Sequence, residues 1–158
     1  MDSSISISME IDPEPQERQR TVTRGKGGRK LPFPKTYDPS EKYRKKLSYL
    51  AIKAYSPRKP IEGNLIATIR IYVPMLKSFS KKKRDLAERG LIRPGKRPDL
   101  SNYIKAIEDS LDKIVWKDDG QIVEYGAGTG KYYSEKPRIE VDVRRWKAEE
   151  RQEQNPVQ

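Results

Sequence analysis

The chain predicts an α+β domain, a mixed or antiparallel sheet of about four strands with two main helices packed on it. Two kinds of periodicity carry that expectation. Apolar residues at every second position recur in separated stretches, alternating with polar ones in SSISISMEID and RIEVDVR and set in a more continuously apolar run in NLIATIRIYV, the marks of half-buried and central strands. A 3.6-residue apolar repeat occupies two others, from Tyr43 and from Leu100. At 158 residues, with 34% apolar and 36% charged side chains, there is material for one core and a good deal of solvated loop.

In chain order, Ile5, Ile7, Met9 and Ile11 line one face of a first strand, and Pro13 and Pro15 stop it. The stretch that follows holds Arg18, Arg20, Arg24, Lys26, Arg29 and Lys30 among glycines and reads as a flexible surface loop that orders against phosphates. Asp38-Pro39-Ser40-Glu41 reads as a helix start with Asp38 as cap, followed by an apolar repeat at Tyr43, Leu47, Leu50 and Ala54. Asn64–Val73 is the most apolar strand and belongs at the centre of the sheet. The lysine run Lys81, Lys82, Lys83 opens a short helical pattern reaching about Arg89.

The helix from about Leu100 to Lys113 is the clearest, with Leu100, Tyr103, Ile104, Ile107, Leu111 and Ile114 in one stripe and Asp99 as its N-cap. Ser101, Lys105, Glu108 and Asp112 share one flank of it, and Asp109 and Asn102 are expected to face farther away. A strand over Gln121–Tyr125 comes next, with Gln121 and Tyr125 serving the strand rather than any chemistry. The glycines of GAGTGKYY form a hairpin loop rather than a phosphate cradle, since no helix follows them. A last strand runs over Arg138–Arg144. Residues 1–146 form the domain and 147–158, rich in Glu, Gln and Arg, a flexible C-terminal tail.

The formal net charge of +11 favours a polyanionic partner, nucleic acid first. With no cysteine and no histidine, thiol nucleophiles, disulfides, the usual catalytic triad and the usual zinc ligands are excluded. Any enzyme here works with carboxylates, lysines, hydroxyls and a bound metal. No apolar run approaches the roughly 20 residues of a membrane span, and the expected location is cytoplasmic.

Carboxylates stand at both ends of the clearest helix, Asp99 at its start and Asp118 and Asp119 in the loop after its end, with Lys105 between. They meet only if that loop returns alongside the helix. Two carboxylates beside a lysine suit magnesium-dependent phosphodiester hydrolysis, and magnesium takes few protein ligands. The same residues also serve as an ordinary helix cap and an Asp-Asp-Gly turn.

RPDLSNYIKAIEDSLDKIVWKDDGQIVEY resembles the signature of the RusA family of Holliday-junction resolvases, which reads PD-x-DN-x-x-K, then D-x-L and W-x-DD-x-Q-[IV]. The likeness extends to the Pro13–Arg20 stretch, the Tyr37–Pro39 helix entry and Lys77–Lys83. It implies a small homodimeric protein that binds four-way or branched DNA and makes paired nicks with magnesium or manganese. It further implies that Asp99 and Asp119 are catalytic metal ligands, that Asp118 assists, and that Lys105 is the functional lysine. Arg18, Arg20, Arg24, Lys81, Lys82, Lys83 and Arg97 are the expected DNA contacts. One departure stands out. Ser101 occupies the place of the family's second aspartate, and a hydroxyl is a weak ligand for a hard cation. Glu108, two turns along the same flank, is the expected substitute, although seven residues of rise is about 10.5 Å. The competing reading is a basic DNA- or junction-binding protein with a degenerate metal site and no cleavage.

Overall fold

The computed structural model describes residues 4–56 and 58–148, so the tail expected over 147–158 lies outside the described residues from 149 onward. The described elements are β1 (Ile5–Met9), β2 (Arg20–Arg24), β3 (Lys30–Tyr37), α1 (Glu41–Tyr55), β4 (Leu65–Pro74), α2 (Lys81–Glu88), α3 (Leu100–Leu111), β5 (Ile122–Tyr125), β6 (Gly130–Ser134) and β7 (Arg138–Arg145). The fold is α+β with a mixed sheet, as its periodicities require. It has five strands in the main sheet rather than four, and α2 adds a third, short helix.

β4 is central: β7 lies antiparallel along one side of it, and β1 lies antiparallel on β7. Its alternate residues Leu65, Ala67, Ile69 and Ile71 are fully buried in one core with Ile139, Val141 and Val143 of β7. α1 and α3 cover that face through Tyr43, Leu47, Ala51 and Tyr55 and through Tyr103, Ile104, Ile107 and Leu111. Each such side chain contributes about 1.5–3 kcal/mol on burial, so the stripe of α3 fixes that helix to the sheet. Ala54, expected in the α1 stripe, is exposed, and Ala51 and Tyr55 take the buried positions.

Three local readings are corrected. Ser40, not Asp38, occupies the N-cap position of α1. The Asp38 carboxylate instead accepts from the Ser40 N–H at 2.9 Å and from Arg44 at 2.5 Å, an Asx turn leading into the helix. The glycine run after β5 is no hairpin. β5 and β6 both lie parallel to the same side of β4, opposite Leu65–Ala67 and Arg70–Pro74 respectively. Residues 126–129 only interrupt that edge. A Cβ at Gly126 would fall 2.0 Å from Thr68 Oγ1, so the chain passes too close to β4 for any side chain. Lastly, the expected basic loop contains the antiparallel β2–β3 ribbon. Its residues are almost all exposed, and with no buried face it carries no alternation to read.

Candidate metal centre and neighbouring cleft

The site is built at the C-terminal end of α3. That helix ends at Leu111, and Lys113, in the left-handed region at φ 66°, reverses the chain. The reversal returns the buried Trp116 to Asp112, whose Oδ1 accepts from the indole N–H at 2.8 Å. A short 3-10 turn, Asp119–Gln121, follows with Asp118 as its N-cap. The Gly120 N–H donates to Asp118 at 2.7 Å, and a Cβ at Gly120 would lie 3.1 Å from that same oxygen. The Gln121 side chain locks the turn. Its Oε1 accepts from Lys117 N at 2.7 Å and Asp118 N at 3.0 Å, and its Nε2 donates to Ile61 and Gly63 carbonyls at 2.9 Å each. Gln121 therefore belongs to the turn and not to β5.

This turn carries Asp119 against the second half of α3, where carboxylate oxygens of Asp109, Asp112 and Asp119 lie within 4.8 Å of one another. Asp109 was expected to face away. At about 100° per residue it sits only about 40° from Lys105 and 60° from Asp112, close enough to join an acid arriving from outside the helix. That angle was the available signal for Asp109, and Asp112 already lay on the noted flank. Asp99 holds the N-cap position of α3 without capping through its side chain, ten residues before Asp109, about 15 Å along the axis. Lys131 Nζ donates to Lys96 and Pro98 carbonyls at 3.0 and 2.9 Å and so ties down the segment leading to it. The returning loop thus reaches the far end of α3 from Asp99.

Glu108 is half-buried, and its carboxylate accepts from the Tyr125 hydroxyl on β5. It faces β5 and the acids of its own end of the helix, not Ser101, which is exposed in the first turn. Tyr125, expected to serve only the strand, is therefore a neighbour of the acidic group.

The electrostatics describe crowded negative charge, with Lys113 acting only on Asp118. Burial, then the charges of Asp119, Asp109 and Asp112, push Glu108 above the ordinary carboxylate range, opposed by the Tyr125 hydrogen bond. Asp112 is raised by burial against the pull of Trp116, with Asp119 and Asp109 adding to the rise. Asp119 is raised first by the carboxyl of Asp118 bonded beside it, then by burial and by the charges of Asp118 and Asp109. Asp118 is lowered, chiefly by the Gly120 N–H. Among the described residues none of these acids is in an ion pair with Lys or Arg. Carboxylates gathered this way fit a hard divalent cation, which prefers oxygen ligands.

Beside the acids runs a cleft of about 700 Å³ whose lining sets Arg18, Arg44 and Lys105 against Glu17, Asp38 and Asp109, with Gln16, Gln19 and Asn102 between them. The proline-rich segment forms its rim and is held by three bonds. Glu14 N donates to Tyr43 Oη at 3.0 Å, Gln16 N to the Asn102 carbonyl at 2.9 Å, and Glu17 N to Ser40 Oγ at 2.8 Å. Gln16 Oε1 and Arg44 Nη1, both on this cleft, are buried without a hydrogen-bond partner. Arg20 and Arg24 stand at the two ends of β2, Arg20 paired with Glu17 at 3.4 Å and Arg24 donating to the Gly28 carbonyl at 3.1 Å. Lys81, Lys82 and Lys83 form the exposed first turn of α2, and Arg97 is exposed just before Pro98.

Fold and site together define an α+β domain with an acidic centre at one helix end, a polar cleft of mixed charge beside it and a basic ribbon rooted at that cleft. The chain belongs to the endodeoxyribonuclease RusA family, whose model matches residues 10–144. It is also 41% identical over 110 residues to the uncharacterized protein YqaN of Bacillus subtilis (strain 168), an alignment covering 68% of this chain and 76% of that protein. Among the described residues no helix is long and apolar enough to cross a membrane.

Proposed function

We propose that this protein is a metal-dependent, structure-selective endonuclease that resolves Holliday junctions by paired nicks, acting as a cytoplasmic homodimer in DNA recombination and repair. The observation that carries the reading is the convergence of Asp109, Asp112 and Asp119, none of them in an ion pair among the described residues, beside a cleft containing Lys105. Paired nicks need two such sites in a fixed relation, which a dimer supplies.

Asp119 is the principal ligand for magnesium or manganese. Asp109 completes the pair of carboxylates that magnesium commonly takes, and Asp112 offers the oxygen not held by Trp116. The ion, when bound, lowers the pKa of a coordinated water and polarises the phosphodiester. Asp118 holds the turn that aims Asp119. Glu108 contributes charge to the same end, steadied by Tyr125, so its place in the ligand set is beside Asp119 and not in place of Ser101's missing carboxylate. Lys105 faces the cleft and stabilises charge developing on the phosphate. Asp99 acts at the other end of α3, where Arg97 also meets the DNA backbone.

Ser101 favours a second reading, a junction-binding protein that does not cut, because the first turn of α3 offers a hydroxyl where the family signature has an acid. Incubation with a synthetic four-way junction and a linear duplex, with magnesium and with EDTA, separates the two. Nicks confined to the junction and abolished by EDTA support the nuclease; binding without nicks in magnesium and in manganese supports the second reading.

A further inference from the structure

We propose that Phe33, at the crest of the β2–β3 arm, is a wedge that inserts between unstacked bases of branched DNA and sets the preference for branched over continuous duplex. The proposal rests on the nuclease reading in taking DNA as the partner.

Residues 18–37 contain seven Lys and Arg and no Asp or Glu. The ribbon they form is paired irregularly. Val22 faces Lys35 and Arg24 faces Lys30, so the single residue Thr23 stands opposite the four residues Leu31, Pro32, Phe33 and Pro34. Pro32 and Pro34 have no N–H to give a ladder, which is why β3 leaves its partner there. Leu31 turns inward, so close that a Cβ at Gly25 would lie 3.2 Å from its Cδ2. Phe33 turns outward and is 79% exposed, more than any other large hydrophobic side chain among the described residues.

An aromatic ring held out by two prolines amid cations fits a polyanion that offers flat apolar surface, which is a nucleic acid with accessible bases. The arm is also rooted at the candidate centre. Its first residue, Arg18, lines the cleft with Lys105, and Gln16 is bonded to the backbone of α3. Opening a stacked duplex step for such a wedge costs a few kcal/mol, whereas unpaired or unstacked bases at a branch accept it at lower cost. The ring therefore discriminates structure, and the surrounding cations supply sequence-independent grip.

The test measures binding in EDTA, independent of cutting, to a four-way junction carrying 2-aminopurine at the branch point and to linear duplex of the same length. Wild type is expected to prefer the junction and to raise 2-aminopurine fluorescence. Phe33→Ala should lose roughly tenfold of junction affinity, the worth of one stacked base, with duplex affinity nearly unchanged and the fluorescence rise gone. Phe33→Trp should keep both. Because the side chain is exposed, Phe33→Ala should fold and melt as wild type does. Unchanged junction preference and fluorescence in Phe33→Ala overturns the proposal while leaving the nuclease reading intact. So does loss of self-association with the fluorescence rise retained, which makes Phe33 a contact between copies. Binding and unstacking by wild type without nicking in magnesium upholds the wedge and removes the nuclease reading. Failure of wild type to bind any DNA removes both.

Discussion

The Gln121 side chain accepts from the backbone N–H of Asp118 at 3.0 Å, and through this bond a residue with no chemistry of its own fixes where the adjacent Asp119 stands. Its amide also donates to the carbonyls of Ile61 and Gly63, so the turn is anchored to the chain entering β4. Gln121→Ala leaves several of these groups to water and should lower stability by about 1–3 kcal/mol. Thermal melting and single-turnover cutting should both report it, with cutting reduced far more than junction binding. Cutting at the wild-type rate would show that the turn does not need this anchor.

The acids at the end of α3 predict a metal-linked stability. Asp119, Asp112 and Glu108 have folded pKa values above their unfolded ones, so the folded state holds protons that the unfolded chain releases. In metal-free protein their contribution to stability therefore falls as pH rises through the range just above ordinary carboxylate values. Asp119→Asn should flatten that dependence and raise the metal-free Tm at neutral pH by a few degrees at most, since the group is solvent-screened. Magnesium should raise the Tm of wild type and not of the variant. A melting curve in which both proteins respond equally to magnesium would remove Asp119 from the ligand set.

Burial holds the Glu108 carboxyl above the ordinary range, and Tyr125 opposes that rise. Its hydroxyl donates to that carboxylate and lowers a pKa that burial raises. Tyr125→Phe should move Glu108 further up, so the acid limb of the pH–cutting profile should shift to higher pH while the rate on the alkaline plateau changes little. Glu108→Gln should abolish the difference between Tyr and Phe at position 125. A Tyr125→Phe profile superimposable on wild type would place Glu108 outside the reaction.

Sequence periodicity made β1, β4, β7, α1 and α3 legible because each buries one face against a common core. β2 and β3 bury no face, and β6 is five residues of mixed burial set against β4 by backbone bonds, so neither leaves a pattern. At the site, Asp118, Asp119 and Lys105 were legible from spacing and resemblance. Asp109 lies within about 60° of Asp112 on the helical wheel, but the wheel alone does not say that a turn arrives from outside on that side of α3. Tyr125 was missed for a related reason. Its contact with Glu108 joins β5 to α3, and pairing between elements is a property of the fold rather than of either segment.

Lys105 is expected to act on the reacting phosphate and not on overall affinity. Lys105→Gln should lower the cutting rate by roughly 10²-fold, as loss of one positioned donor does. The salt dependence of junction binding should change by no more than about one counterion. By contrast, Lys81→Gln with Lys82→Gln should weaken binding to junction and duplex alike and leave saturated cutting intact. If Lys105→Gln binds weakly but cuts normally at saturation, Lys105 is a grip residue.

Cutting is expected to be metal-dependent and centred on the acids gathered around Asp119. The most direct test is single-turnover incubation of wild type and Asp119→Asn with a four-way junction labelled on each strand, in magnesium and in EDTA, with binding measured in parallel. Symmetric nicks in opposing strands are expected for wild type in magnesium only, with an Asp119→Asn protein that binds the junction as tightly and leaves it uncut. Nicks that persist in EDTA, or an Asp119→Asn variant that cuts as wild type does, would contradict this expectation.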